Sequence, residues 1–207
     1  MTKNYKNVLL FLISLLLIIS CEKSYTPKQR EYIVLIEMQR KEKNQWLKNS
    51  PDSPFNYKGK VEFHELNYFD VDPEFVFYSK LVPYSHKDTV TIFGTKGEQR
   101  KAVRYGFLII NFPSKSIPVN VYESETNNGE KYYSIWFTDL TTNKETYGVG
   151  RYLDFELNED PNYLYKVDFN LAYNPYCAYS PEYSCAIPTK EDFIPVEIKA
   201  GEKKFHE

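Results

Sequence analysis

Histidine and cysteine are scarce, three of each in 207 residues, and that scarcity removes most sites built on them. His64, His86 and His206 lie far apart in the chain. A structural zinc ion needs four ligands, and these residues supply no cluster of that size. His64-Glu65 begins like a zinc-protease helix, but Tyr68 stands where the second histidine belongs, so His64 reads as a surface residue of a strand. No G-x-S-x-G, no phosphate-cradling P-loop and no C-x-x-C occurs. Gly148-Val149-Gly150 lacks a third glycine and opens a strand rather than a helix. The acids are spread along the chain without the spacing of a glycosidase pair. Neither a metal nor a cofactor is expected.

A basic excess is missing too. Lys and Arg number 26 against 28 acids, which gives nucleic acid or anionic lipid nothing to be drawn to. Also missing is an apolar run long enough to span a bilayer. Val8 to Ile19 is apolar except for Ser14, about a dozen residues where a span needs about 20. With Lys3 and Lys6 before it and the small Ser20 after it, the run fits a secretory signal; an uncleaved membrane anchor is the alternative. Ile18-Ile19-Ser20-Cys21 looks like the lipobox of bacterial lipoproteins, in which the thiol is acylated and the chain is cut before it. Acyl chains at about 0.8 kcal/mol per buried methylene make such an anchor durable. By resemblance to Gram-negative sorting rules, Glu22 rather than Asp after Cys21 permits outer-membrane delivery facing the periplasm. The lipid anchor makes the membrane the first expected partner. Removing residues 1–20 leaves 187 of the 207 residues and takes away two basic residues, so 24 stand against 28 acids for a charge of −4. That length suits one domain, residues 27–207, behind a tether over 21–26.

What the chain has in plenty is aromatic: 19 Tyr and 14 Phe beside 8 Gly and 2 Met. Tyr and Phe favour strands. They serve either as cross-strand packing or as an aromatic platform for a sugar or peptide. Cys21 goes to lipid, leaving Cys177 and Cys185. In an exported protein that pair reads as a disulfide closing a short loop; free thiols or part of a metal site are the alternatives.

Thr26-Pro27-Lys28-Gln29 is a helix start, with Thr26 as cap, Pro27 in the first turn and Gln29 completing a capping box. The helix runs over 27–48, with Tyr32, Leu35, Ile36, Trp46 and Leu47 marking a rough apolar face, and stops at Asn49-Ser50-Pro51. After the loop the period changes to two, beginning a β-body over 60–200. Strands are expected around Val61 and Phe63, from Phe75 to Leu81, from Thr89 to Phe93 and from Ala102 to Phe112. Others follow at Ile117 to Val121 and Tyr133 to Phe137. Arg151 to Leu157 and Tyr163 to Phe169 read as a hairpin around Asn158–Asn162, and Phe193 to Lys199 as a last strand. About nine short strands with one leading helix suggest an antiparallel sandwich or a partly closed barrel.

One segment, Trp136 to Cys185, mixes polar side chains with apolar positions. Asp139, Tyr147, Arg151, Asp154, Asp168, Asn170, Tyr173 and Asn174, joined by Glu202 further on, are the candidate ligand-binding residues. Arg151 and Asp154 are three apart and lie on opposite faces of a strand, while Asp168 and Asn170 share a face. These groups either tie loops to the β-body by buried hydrogen bonds or line a pocket. In the first case Arg151 pairs internally with a carboxylate such as Asp168 or Glu202.

The same segment carries a resemblance. Phe137-Thr138-Asp139-Leu140-Thr141, Glu145 to Leu153 (ETYGVGRYL), Asp168 to Tyr179 (DFNLAYNPYCAY), Cys185 and Ala200-Gly201-Glu202-Lys203 resemble a large prokaryotic family catalogued as domain of unknown function sixteen eighty-four. Ser53-Pro54-Phe55 and Phe63 to Phe69 (FHELNYF) extend it upstream, so it covers most of the mature chain. Family members continue after the second cysteine with a Cys-Pro-x-Pro-Pro-like run, from which Cys185-Ala186-Ile187-Pro188-Thr189 departs. The resemblance implies a domain and no reaction. The leading expectation is a non-catalytic lipoprotein domain that binds a small ligand or an envelope partner. A hydrolase using Asp139, Asp154 or Asp168 with Arg151, and a purely structural envelope protein, are the alternatives.

Overall fold

The computed structural model describes residues 23–57, 61–126 and 128–206. The expected signal, the lipobox and Cys21 lie outside the described residues. Helix α1 (Pro27–Asn49) starts where the capping pattern puts it. The amide of Thr26 donates to Gln29 Oε1 at 2.9 Å and the amide of Gln29 returns to Thr26 Oγ1 at 3.3 Å. Among the described residues no helix is long and apolar enough to cross a membrane. The chain divides into a segment ending at Glu31 and a unit running Tyr32–Glu207. Within that unit the helix packs from Tyr32 onward. The buried apolar face is thinner than its sequence suggests: Ile36 and Leu47 are buried, but Leu35 is 51% exposed. Polar side chains hold the helix in place instead. Tyr32 Oη donates to Asp168 at 2.8 and 2.7 Å, and Arg40 Nη1 donates to the Phe69 carbonyl at 2.8 Å. Lys43 pairs with Glu202 at 2.6 Å.

The protein is mainly β. Its strands are β1 (Val76–Pro83), β2 (Thr89–Phe93), β3 (Gln99–Phe112), β4 (Lys115–Glu125), β5 (Lys131–Asp139), β6 (Arg151–Phe155), β7 (Leu164–Asp168) and β8 (Phe193–Ile194). They form one sheet in the order β6-β5-β4-β3-β1-β7, with β2 also on β3 and β8 on β5. Every pairing is antiparallel except the short β5–β8 one, which is parallel. The sheet curls into a half-barrel, which decides between the two β architectures the pattern left open.

Three details differ from the sequence reading. Val61 and Phe63 are not in a strand; they lie in a loop packed on a small cluster with Phe55 and Tyr179. The strand expected at Phe193–Lys199 is only two residues long, because Pro195 breaks it. Most telling, β6 and β7 do not form a hairpin. They are the two outer strands of the six-strand path, β6 on β5 and β7 on β1. Curling is what lets the loop 156–163 connect them. The seam between them is bridged in two ways. Phe155 and Tyr165 stack with ring centroids 4.7 Å apart. Beyond β7, Tyr152 and Tyr173 exchange both backbone hydrogen bonds, at 2.9 and 3.0 Å.

A bulge in β3 sets which side chains face which way. Arg104 pairs with Tyr122 and Gly106 with Val121, so one extra residue is inserted and the alternation reverses. Leu108, Ile110 and Phe112 therefore join the inner core with Val119, Val121, Ile135 and Phe137. Ala102, before the bulge, joins a second apolar layer on the other face with Ile92, Tyr122, Trp136 and Ala186. Glycine is required at 106 because a Cβ there would sit 2.7 Å from the Val82 carbonyl oxygen.

Candidate functional site

Of the polar residues singled out in the sequence, Asp139, Arg151, Asn174 and Glu202 form a buried lattice around the C-terminal segment 198–203. Arg151 points inward from β6 and is 1% exposed. Its Nη2 pairs with Asp139 Oδ2 at 2.6 Å and donates to the Ile198 carbonyl at 2.9 Å. Its Nη1 donates to the carbonyls of Ala200 and Glu202. The internal carboxylate is thus Asp139, not Asp168 or Glu202. The other oxygen of Asp139 accepts from the amide and hydroxyl of Thr141. Burial pulls the guanidinium pKa down from its ordinary value while Asp139 opposes the shift.

Glu202 is buried in the same lattice. It takes Lys43 on one oxygen. On the other it takes the Asn174 amide at 2.8 Å and the Tyr179 hydroxyl. Asn174 Nδ2 donates to the Lys203 carbonyl at 2.7 Å. Asp168 caps the 169–171 turn through the Asn170 amide at 3.1 Å and also receives Tyr32 and Lys166. Asn170 holds Asp72 by both of its backbone groups at 2.8 Å. Asp139, Arg151, Asp168, Asn170, Asn174 and Glu202 therefore spend their hydrogen-bonding capacity largely on the protein itself, the tying role weighed above.

Tyr147 lies elsewhere, beside the cysteines. Its hydroxyl donates to the Cys177 carbonyl at 3.3 Å and reaches the Cys177 Sγ at 3.8 Å. Cys177 and Cys185 are free thiols here, not the expected disulfide. They are adjacent, with the amide of Cys177 donating to Cys185 Sγ at 3.1 Å. The Cys185 thiol donating to it brings the Cys177 thiol down to about 7 against burial, helped by Tyr147 and Thr95. The same hydrogen bond, with burial, pushes Cys185 up.

Asp154 and Tyr173 belong to a different place. On β5 and β6 the residues that alternate with the core residues face outward: Tyr132, Ser134 and Trp136 on one strand, Tyr152 and Asp154 on the next. Register sets Ser134 opposite Asp154 and Trp136 opposite Tyr152. Over this face lie α1, with Lys43 and Trp46, and the segment from Tyr173 to Ala186. Between them is a groove of about 520 Å³, within the usual range for a small-molecule site. Trp136 is backed by Tyr122, stacked at 4.6 Å and 9°. Tyr173 Oη donates to Asp154 Oδ1 at 2.6 Å, and burial together with that carboxylate pushes the phenol up. Lys43 Nζ sits 4.9 Å over the Tyr173 ring. Arg100 reaches the groove from β3, paired with Glu98 at 2.6 Å and donating to the Ser184 carbonyl at 2.8 Å.

Of the groove residues, sequence reasoning pointed to Asp154 and Tyr173 alone as ligand-binding candidates, although it also marked Cys185 for a disulfide and Trp46 for the helix's apolar face. It read the Tyr133-Ile135-Phe137 face of β5 and passed over the opposite one. Two large aromatics four positions apart on the face of the strand opposite the core residues, Tyr132 and Trp136, were the signal available. Lys43, Trp46 and Arg100 come from distant elements and gave none.

Three comparisons bear on identity. The profile of the family described as "Protein of unknown function (DUF1684)" matches residues 61–203. No curated protein matches the chain. Among solved structures, the solution NMR structure of the uncharacterized protein from gene locus rrnAC0354 of Haloarcula marismortui aligns with a TM-score of 0.63 at 23% identity, covering 87% of this chain and 98% of that one. At that identity the likeness shows a shared fold. The matched stretch contains the β5–β6 wall of the groove and the Arg151 lattice, while Lys43 and Trp46 precede it. The chain belongs to the DUF1684 family of proteins of unknown function.

Proposed function

We propose that this protein is a lipid-anchored lipoprotein of the bacterial cell envelope whose domain binds a small ligand in the aromatic groove between α1, β5–β6 and the Tyr173–Ala186 segment. The observation that carries the reading is the groove itself: about 520 Å³ of space walled by rings from α1, β5, β6 and the 173–186 segment. A few polar groups converge on it, among them Ser134, Asp154 and Arg100. The anchor rests on the lipobox-like Ile18-Ile19-Ser20-Cys21. The hydrolase alternative gains nothing from the lattice, where Asp139 and Asp168 already accept several internal bonds; a working carboxylate needs an open cleft.

The chain has two tryptophans, Trp46 and Trp136, and both line the groove. Intrinsic fluorescence is therefore a direct reporter of groove occupancy. A screen of envelope metabolites and fragments against the full chain in detergent should find a compound that raises the melting temperature and gives a saturable tryptophan change. A compound that stabilises the protein while leaving both tryptophans silent would place binding elsewhere.

A further inference from the structure

Building on the groove reading above, we propose that its ligand class is a neutral saccharide.

Charge in the groove is largely cancelled. Lys43 is paired with Glu202, and Arg100 with Glu98 and a backbone carbonyl. An anion would have to compete with carboxylates already 2.6 Å from those cations. A cation would find one carboxylate, Asp154, in a groove that also holds two basic side chains. Neither sign is favoured.

Three of the rings keep a large part of their surface in water. Trp46, Tyr132 and Tyr176 are 42%, 46% and 40% exposed, on α1, β5 and the loop after β7, and all three line one groove. Large rings left in water around a concavity offer flat apolar faces to a ligand.

A directional pair lies on the floor. Ser134 is only 5% exposed, yet its Oγ has no hydrogen-bond partner. A buried hydroxyl without a partner costs stability and calls for an explanation. Directly across the strand pair stands Asp154, whose Oδ1 takes the Tyr173 hydroxyl and whose Oδ2 accepts no hydrogen bond among the described residues. Side chains opposite one another on paired strands stand about 5 Å apart at Cβ. The open oxygen of Asp154, with the shielded and unsatisfied Ser134 hydroxyl across the strand pair from it, suits two neighbouring hydroxyls of a single ring. A molecule with an apolar C–H face for the rings, a hydroxyl rim for Ser134 and Asp154 and no net charge is a saccharide.

The test is a tryptophan-fluorescence titration of the full chain in detergent with maltose, cellobiose and N,N′-diacetylchitobiose. Benzoate, tetramethylammonium and cyclohexanol serve as anionic, cationic and apolar probes. At least one disaccharide should give a saturable change. Asp154→Asn and Tyr132→Ala should weaken that binding about tenfold. Ser134→Ala should also weaken it while leaving the melting temperature unchanged or raised, because it removes an unpartnered hydroxyl; a merely structural serine would show no loss of binding. Saturation by benzoate, tetramethylammonium or cyclohexanol with silence from all three sugars overturns the saccharide assignment and leaves the groove a binding site. Silence from all six probes overturns the assignment as well, and the wider metabolite screen then judges the groove on its own.

Discussion

Arg151 shows how a residue chosen for chemistry can turn out to be structural. Its guanidinium is enclosed by Asp139 and the carbonyls of Ile198, Ala200 and Glu202. A fork of five donors fits such a set of planar acceptors, which an ammonium group does not. Truncation leaves the Asp139 carboxylate buried without its counter-charge. Arg151→Ala should therefore lose about 3–5 kcal/mol in urea unfolding; an unchanged midpoint would mean the lattice is not holding the C-terminal segment. Cys177 is the second residue with a definite expectation. With its thiol near 7, the reduced protein should be alkylated at Cys177 by iodoacetamide with a rate midpoint near pH 7, and Cys185, buried and shifted up, should lag far behind. In the oxidising compartment proposed for the protein, the same adjacency should let the pair close. Mass spectrometry of the exported form should find one peptide pair lighter by two hydrogens, and full alkylation without reductant would refute that.

At the scale of elements, alternation does most of the work. Strand β5 sends Tyr133, Ile135 and Phe137 inward and Tyr132, Ser134 and Trp136 outward, so one nine-residue strand serves the core and the groove at once. The β2–β3 hairpin contributes a pH-sensitive tie. The Ser184 hydroxyl donates to Glu98 Oε2 at 2.8 Å and Arg100 pairs with Oε1. These contacts hold the Glu98 carboxyl at about 2 against an ordinary 4.5. A depressed carboxylate stabilises the folded form above the ordinary value, and that contribution disappears as pH falls from 4.5 towards 2. The protection of the Thr95 and Lys96 amides, which bond Cys185 and Ser184, relative to their intrinsic exchange at each pH should fall over that window. Glu98→Gln should remove most of the pH dependence. The period-two pattern made the strands themselves legible, but not the β3 bulge: Tyr105 looks like any other strand residue, and only pairing against Tyr122 and Val121 reveals the inserted position.

Across the whole molecule, the sheet curls so that its outer strands β6 and β7 meet at a seam bridged by side chains and one isolated strand bridge, and the aromatic groove lies on the outer face of the β5–β6 side, beside α1 and the 173–186 segment. The proposed export and anchoring belong to this scale too. Cys21→Ser should abolish labelling by a fatty-acid analogue and stop processing between Ser20 and Cys21, and labelling that survives the change would refute the anchor.

Local chemistry determined the capped start of α1, most of the strand positions and the mainly β class, because caps and alternation act between residues a few positions apart. The family resemblance was legible as well, since it rests on contiguous motifs. Strand order was not: Arg151–Leu157 and Tyr163–Phe169 have the local pattern of a hairpin, and only the curl of the sheet sends them to opposite edges. Partner choice was not legible either. Asp139 lies twelve positions before Arg151, and nothing short-range distinguishes it from Asp168 or Glu202. The groove was least legible of all. It takes Lys43 and Trp46 from the helix, Arg100 from β3, Ser134 from β5 and Tyr176 from a late loop. Tertiary packing alone brings such distant positions to one surface.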